Sequence, residues 1–267
     1  MAVLASKLYN VYRMALQNPV SLHPDGRRIA VVIGGTGDVG SCIVDRLAHD
    51  GWQVHFSYRT QPDTAKKIEQ ETKAKAFFLD LNAPELPQFP PLVHALVNCV
   101  GINPIDADVL STPPSVFEEV VNTNLVQAFR VVRHALPALI EAHGTIVNIS
   151  SIWGFRAVEG VIAYVSAKHG MRGLTAGLAR DCGPLGVTCN EICPGTMRST
   201  MLHDCMVRAV GADRQVIEDS IQQIVASTPT RRLATPADIA ASVAFLCSSE
   251  ARSINGASLV VDGGFTA

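Results

Sequence analysis

The sequence predicts an α/β fold, a parallel sheet of about seven strands with helices on both faces. Three observations carry that reading. Strand-like and helix-like segments alternate from residue 28 to the C-terminus. The strand segments are almost continuously apolar, as strands covered on both faces must be. No repeat, low-complexity tract or linker breaks the alternation, so one domain over residues 29–267 accounts for it. A chain of 267 residues with 48% apolar and 17% charged residues can bury such a core and is neither disordered nor a coiled coil.

The elements follow in order. Residues 1–28 read as an N-terminal arm whose Leu8, Tyr9, Val11, Tyr12 and Leu16 could cover a neighbouring subunit. RIAVVIGG, residues 28–35, is a β-branched strand ending in glycines. Residues 38–51 carry helical periodicity through Ile43, Val44 and Leu47, and Gly51 stops the helix. Strands are expected at 53–58, 75–81 and 94–100, with a polar helix over 64–73. A long helix over 115–142 should be interrupted or kinked near Pro137, which lacks a backbone donor. A strand over 144–150, a helix over 163–182 and a strand over 186–195 come next. Residues 196–228 are mixed and amphipathic. Thr235 caps a helix with Pro236 at its first position, and 257–264 is the last strand.

A formal charge of −2 gives no electrostatic case for nucleic acid or an anionic membrane. No stretch approaches the ~20 apolar residues of a spanning helix, and the N-terminus lacks the continuous apolar core of a secretory signal. The arm carries Lys7 and Arg13 and no acid before Asp25, weakly like a transit peptide. Seven scattered cysteines without a CxxC read as free thiols of a reducing, cytoplasmic setting, and no metal-ligand spacing is present.

GGTGDVG, Gly34 to Gly40, follows a strand and opens a helix. The glycines, lacking Cβ atoms, let a pyrophosphate approach the backbone of Gly34, Thr36, Gly37, Asp38, Val39 and Gly40, and the helix N-terminus offers free N–H groups. This makes the sheet a Rossmann-like, doubly wound one. The next strand ends in Tyr58, Arg59 and Thr60, with no acid to accept from a ribose hydroxyl. Arg59 can pair with a 2′-phosphate, so NADP(H) is expected over NAD(H).

Tyr164 and Lys168 occur as YVSAK, four apart on one helix face. A nearby ammonium favours phenolate, so Lys168 is expected to lower the phenol's pKa for proton exchange with a carbonyl or alcohol oxygen. With the glycine turn, NCVG at 98–101, ISS ending thirteen residues before the tyrosine, PGTMRST and the closing VVDGG, the chain resembles the short-chain dehydrogenase/reductase superfamily from about Arg28 onward. It is most like its short, 3-oxoacyl reductase branch.

The resemblance implies roles. Tyr164 would be the general acid/base, Lys168 its partner and a ligand of the nicotinamide ribose, and Ser151 the hydroxyl holding the substrate oxygen. Asn124, with Asn122 as rival, would support a water-linked proton relay. Asp80, beside Leu81, would meet the adenine amino group. Asn98 and Gly101 would lie beneath the cofactor, and Pro194, Gly195, Thr196 and Thr200 would cradle its nicotinamide end. The family turn GxxxGxG holds Asp38 at its middle glycine, which opposes a pyrophosphate, and Cys99 and Val100 replace Asn and Ala.

The resemblance also implies reduction of a carbonyl on a small-molecule or acyl substrate by a homodimer or homotetramer. Specificity is expected from a lid over 196–228 with Met197, Met201, Leu202 and Met206, and from Trp153, Phe155 and Arg156, the last to pair a substrate carboxylate. Ala142 and Leu185 stand where carrier-protein reductases tend to be basic, which favours a free substrate over a carrier-linked one. An idle NADP-binding sensor or scaffold is the alternative from another class.

Overall fold

A computed structural model of the chain describes residues 26–104 and 107–267. The expected arm lies outside the described residues except for residues 26–28. Seven strands form one parallel sheet: β1 (Ile29–Ile33), β2 (Gln53–Tyr58), β3 (Lys75–Phe78), β4 (Ala95–Asn98), β5 (Thr145–Ile149), β6 (Thr188–Pro194) and β7 (Ser258–Val261), in the order β3-β2-β1-β4-β5-β6-β7. The expected sheet is therefore present, with β3 ending at Phe78 rather than at residue 81.

Eight α-helices lie among the described residues: α1 (Asp38–His49), α2 (Pro62–Thr72), α3 (Pro114–Val121), α4 (Gln127–Glu141), α5 (Ile162–Cys182), α6 (Thr200–Val210), α7 (Arg214–Ser227) and α8 (Pro236–Leu246). Alternation along β1 explains why that strand is wholly apolar. Ala30 and Val32 pack with Ile43, Val44 and Leu47 of α1 and with Ile239 and Val243 of α8. Val31 and Ile33 point the other way, into Val131, Val132 and Leu139 of α4 and Leu178 of α5. Thr235 and Asp238 form a reciprocal capping box at the start of α8.

The helix expected over 115–142 breaks elsewhere than predicted. Pro137 lies inside α4, and the interruption is a π turn at Asn122–Val126 between α3 and α4. Its cause is a side chain. Asn124 is fully buried and donates from Nδ2 to the carbonyls of Val120 and Ile102, both at 2.9 Å. The mixed segment 196–228 resolves into α6 and α7, which pack together through Leu202, Met206 and Val207 against Ile217 and Ile221.

Candidate active site

Four strands deliver their carboxyl ends to one cavity of about 690 Å³. β1 leads to Gly37, Asp38, Val39 and Gly40. β4 leads to Cys99, Val100 and Gly101, β5 to Ser150 and Ser151, and β6 to Pro194, Gly195 and Thr196. β1 and β4 are neighbours in the sheet but not in the chain. At such a switch point the connections leave on opposite faces and open a crevice for a ligand.

The turn after β1 requires glycine. Gly34 has φ +85°, and a Cβ on Gly40 would stand 2.0 Å from the Gly34 carbonyl oxygen. Ser57 fastens the turn to β2, accepting from Gly34 N at Oγ and from Gly35 N at its carbonyl, both at 2.9 Å. Gly34 and Thr36 shape the turn without lining the cavity. Tyr58, Arg59 and Thr60 follow the fastened strand. Arg59 is exposed and makes no hydrogen bond or ion pair among the described residues. Asp80 accepts from Asn82 N at 2.9 Å, and the Leu81 carbonyl accepts from Arg130 at 2.6 Å.

Asn98 and Asn148 face each other at one level of β4 and β5, and Asn98 Nδ2 donates to Asn148 Oδ1 at 2.8 Å. Asn148 in turn donates to Thr175 of α5 at 2.9 Å. Asn148 was not singled out from the sequence. The signal was available as a second VN pair near the end of an apolar strand. Gly101 has a packing reason to be glycine: a Cβ there would come 2.7 Å from Asn124 Oδ1 and 3.5 Å from Lys168 Nζ. Asn122, the rival of Asn124, is partly exposed and bonds Asn82 at 3.5 Å. Both amide hydrogens of Asn124 go to backbone carbonyls, so its side chain holds the π turn beside Lys168.

Ser151, Tyr164 and Lys168 converge on the cavity. Ser151 Oγ accepts from Trp153 N at 3.2 Å, and Ser151 stands close enough to the Tyr164 phenol to pull its pKa down. Lys168 is buried, donates from Nζ to the Ile149 carbonyl at 3.0 Å, and lies 5.4 Å from the Tyr164 ring centroid. Burial pushes the lysine down to about 8. Burial also pushes the phenol up to about 12, against the opposing pull of Ser151. Burial thus sets the direction of the phenol's shift, opposite to the lowering expected from Lys168, whose ammonium hydrogen-bonds a backbone carbonyl.

Of the three residues expected to meet substrate, only Trp153 lines the cavity. Phe155 lies beneath the Arg172 guanidinium, 4.2 Å from it, and Arg156 donates to the Thr266 carbonyl. Arg156 is therefore engaged away from the cavity. Met197, Met201, Leu202 and Met206 form the opposite wall, joined by Asn103, Val158, Glu159, Cys205 and Ile224. No trio of His, Cys, Asp or Glu among the described residues is placed for a metal ion.

A dinucleotide fits this arrangement. Backbone is bare where a Cβ would intrude, and one cavity runs from the turn to the hydroxyls of Ser151 and Tyr164. The family model described as Enoyl-(Acyl carrier protein) reductase matches residues 36–266, and the chain belongs to that family, within the short-chain dehydrogenase/reductase superfamily.

An acetoacetyl-CoA reductase of Allochromatium vinosum is 32% identical over 252 residues, covering 89% of this chain and 98% of that protein. A 3-oxoacyl-acyl-carrier-protein reductase of Staphylococcus epidermidis is 29% identical over 249 residues, covering 88% and 97%. Among solved structures, a variant of the actinorhodin polyketide ketoreductase with NADPH superposes with a TM-score of 0.80 at 26% identity, covering 92% of this chain and 99% of that one.

Proposed function

We propose that the protein is an NADPH-dependent reductase that turns the carbonyl of a small-molecule or acyl substrate into a secondary alcohol. One observation carries the reading: Ser151, Tyr164 and Lys168 meet in the cavity that also reaches the glycine turn. When bound, NADPH supplies the hydride. Ser151 and Tyr164 hold the carbonyl oxygen between their hydroxyls, and Tyr164 gives it a proton as negative charge develops there. A phenol pushed up to about 12 is fully protonated at neutral pH, which suits the reductive direction. Lys168 places a positive charge behind the phenol to offset the phenolate formed. The exposed Arg59, free at the end of β2, supports NADP(H) over NAD(H).

Residues 29–267 act as one catalytic domain, with α6 and α7, inside 196–228, as its substrate lid. Three methionines and Leu202 give this lid an adaptable apolar face for an acyl or ring body. The acetoacetyl-CoA and 3-oxoacyl reductases among the relatives support a β-keto thioester as one substrate class. Ala142 is buried and Leu185 is apolar, so neither offers a basic contact to an acidic carrier.

The test follows NADPH absorbance with matched free, CoA-linked and carrier-linked β-keto substrates, with Tyr164→Phe as control. Turnover that survives the control would refute the mechanism. A large advantage for the carrier-linked form would refute the preference for a free substrate.

The enzyme is expected to be a homodimer or homotetramer. Val126 and Phe129 along the π turn and α4, and Phe245, Leu259, Val260 and Phe265 around α8 and β7, expose apolar side chains suited to a second copy. Light scattering checks it. All seven cysteines are free thiols, and no described helix is long and apolar enough to cross a membrane, which supports a reducing cytoplasmic setting.

A further inference from the structure

Asp38 stands in the phosphate turn where the related pattern has glycine, and its side chain does not serve its own helix. It is the first residue of α1, whose N-cap, Gly37, brings no side-chain cap. The carboxylate instead crosses to α6. Asp38 Oδ2 accepts from the backbone N–H of Thr200 at 2.7 Å, and Oδ1 lies 3.5 Å from Thr200 Oγ1. Thr200 opens α6, and Ser199 Oγ takes the N–H of Leu202 at 3.1 Å. Two side chains thus satisfy two of the amides that a helix start leaves unpaired, one from next door and one from 162 positions away.

This contact matters because it joins the Ser199 cap and the packing of Leu202 on α7 in holding the first turn of α6. Among the hydrogen bonds of the described residues, it alone ties that turn to the phosphate loop. None of its residues is buried. Its far end is tied to a different wall, where Arg208 donates to the Asn103 carbonyl at 2.9 Å. The carboxylate also sits where the N-termini of α1 and α6 converge, a place of partial positive charge that a pyrophosphate would claim. A second anion there repels the carboxylate and competes for the same donors.

The geometry points to Asp38 as a positioning residue, a latch that holds the lid helix on the phosphate turn when the cofactor is absent and is released when a pyrophosphate takes the turn. Cofactor binding and movement of α6 are then one coupled equilibrium, since each can occur only at the expense of the Asp38–Thr200 contact. The latch stands on the observed hydrogen bonds. Its release rests on the NADP(H) reading above.

The experiment is amide hydrogen exchange over residues 200–206, with and without NADPH, together with NADPH titration by fluorescence. It uses the full chain and the variants Asp38→Gly and Asp38→Asn. Without cofactor, Asp38→Gly should exchange this turn severalfold faster than the parent. Asp38→Asn keeps a neutral acceptor and should fall between. NADPH should speed exchange in the parent and change it little in Asp38→Gly, and Asp38→Gly should bind NADPH roughly tenfold more tightly, a factor worth about 1.4 kcal/mol.

Equal exchange in the parent and Asp38→Gly without cofactor would overturn the latch. Equal or weaker NADPH affinity in Asp38→Gly would overturn the competition. If no variant binds NADPH while the exchange difference persists, the NADP(H) reading and the release step fall together and the latch stands.

Discussion

Every residue of β1, β4 and β5 is buried, whereas α6, on the other side of the same cavity, buries none of its eleven residues. The strand wall carries Ser151 and receives the hydrogen bond of Lys168 at the Ile149 carbonyl. The helical wall rests on Ile217, Ile221 and Leu233, a small cluster apart from the main core. Chemistry that needs fixed geometry sits on the side where many packed neighbours over-determine each atom. On the proposed reading, selection of the substrate body falls to the side that can adjust.

The largest test of that division is Tyr164→Phe. Losing a positioned proton donor should lower kcat by roughly 10²–10⁴-fold while leaving the thermal midpoint nearly unchanged. A variant that keeps more than a tenth of the activity would move the proton source elsewhere. Next comes a matched pair of truncations. Leu96→Ala, in the strand wall, should cost about 2–5 kcal/mol in urea unfolding. Ile221→Ala, under the lid, should cost less globally and appear mainly as a raised KM. Equal global costs with an unchanged KM would erase the contrast between the walls.

Lys168 offers a subtler probe. Its pKa is depressed to about 8 in the folded chain, against 10.5 ordinarily. Below about pH 8 it is charged both folded and unfolded, so the cost of burying that charge is present in full. The cost fades as pH rises toward 10.5, because the folded chain gives up the proton first. Lys168→Met should therefore stabilise the fold by on the order of 2 kcal/mol at pH 7. The gain should vanish in alkali, and activity should be lost. A destabilised Lys168→Met at pH 7 would contradict it. The smallest effect is on the pH profile. Reductive kcat/KM, which reports the free enzyme, should fall above about pH 8 as Lys168 discharges, with no break from Tyr164 below pH 10. A flat profile through pH 9 would show that the lysine charge is dispensable.

Much of this was legible in the residues. Continuous apolar runs marked β1, β4 and β5 because both faces of each are covered, and alternating burial on the two sides of β1 is the structural counterpart. The YVSAK spacing placed Tyr164 and Lys168 on one turn of α5, and helix geometry alone brings them together. The readings that failed depended on partners distant in the chain. Pro137 is accommodated inside α4, while the break comes from Asn124 reaching Ile102. Arg156 looked available until the Thr266 carbonyl, 110 positions away, took it. The phenol's shift was misjudged because spacing reports proximity to an ammonium but not the depth of burial. Asp38 was legible as an anomaly, while its attachment to Thr200 was not.

The wide turn at Asn122–Val126 also bears on how this chain can drift. It holds one residue more than an α-helix spanning the same distance. Deleting one residue there would fuse α3 and α4 into a continuous α-helix of the same span and leave the faces of α4 in place, because the extra residue is absorbed within the turn. The deletion would instead close the wide turn from which Asn124 reaches both Ile102 and Val120, while Phe129 kept its outward face. Thr123, within that turn, can change identity, but its removal would close the turn. In this stretch inheritance must preserve the count before it preserves the letters.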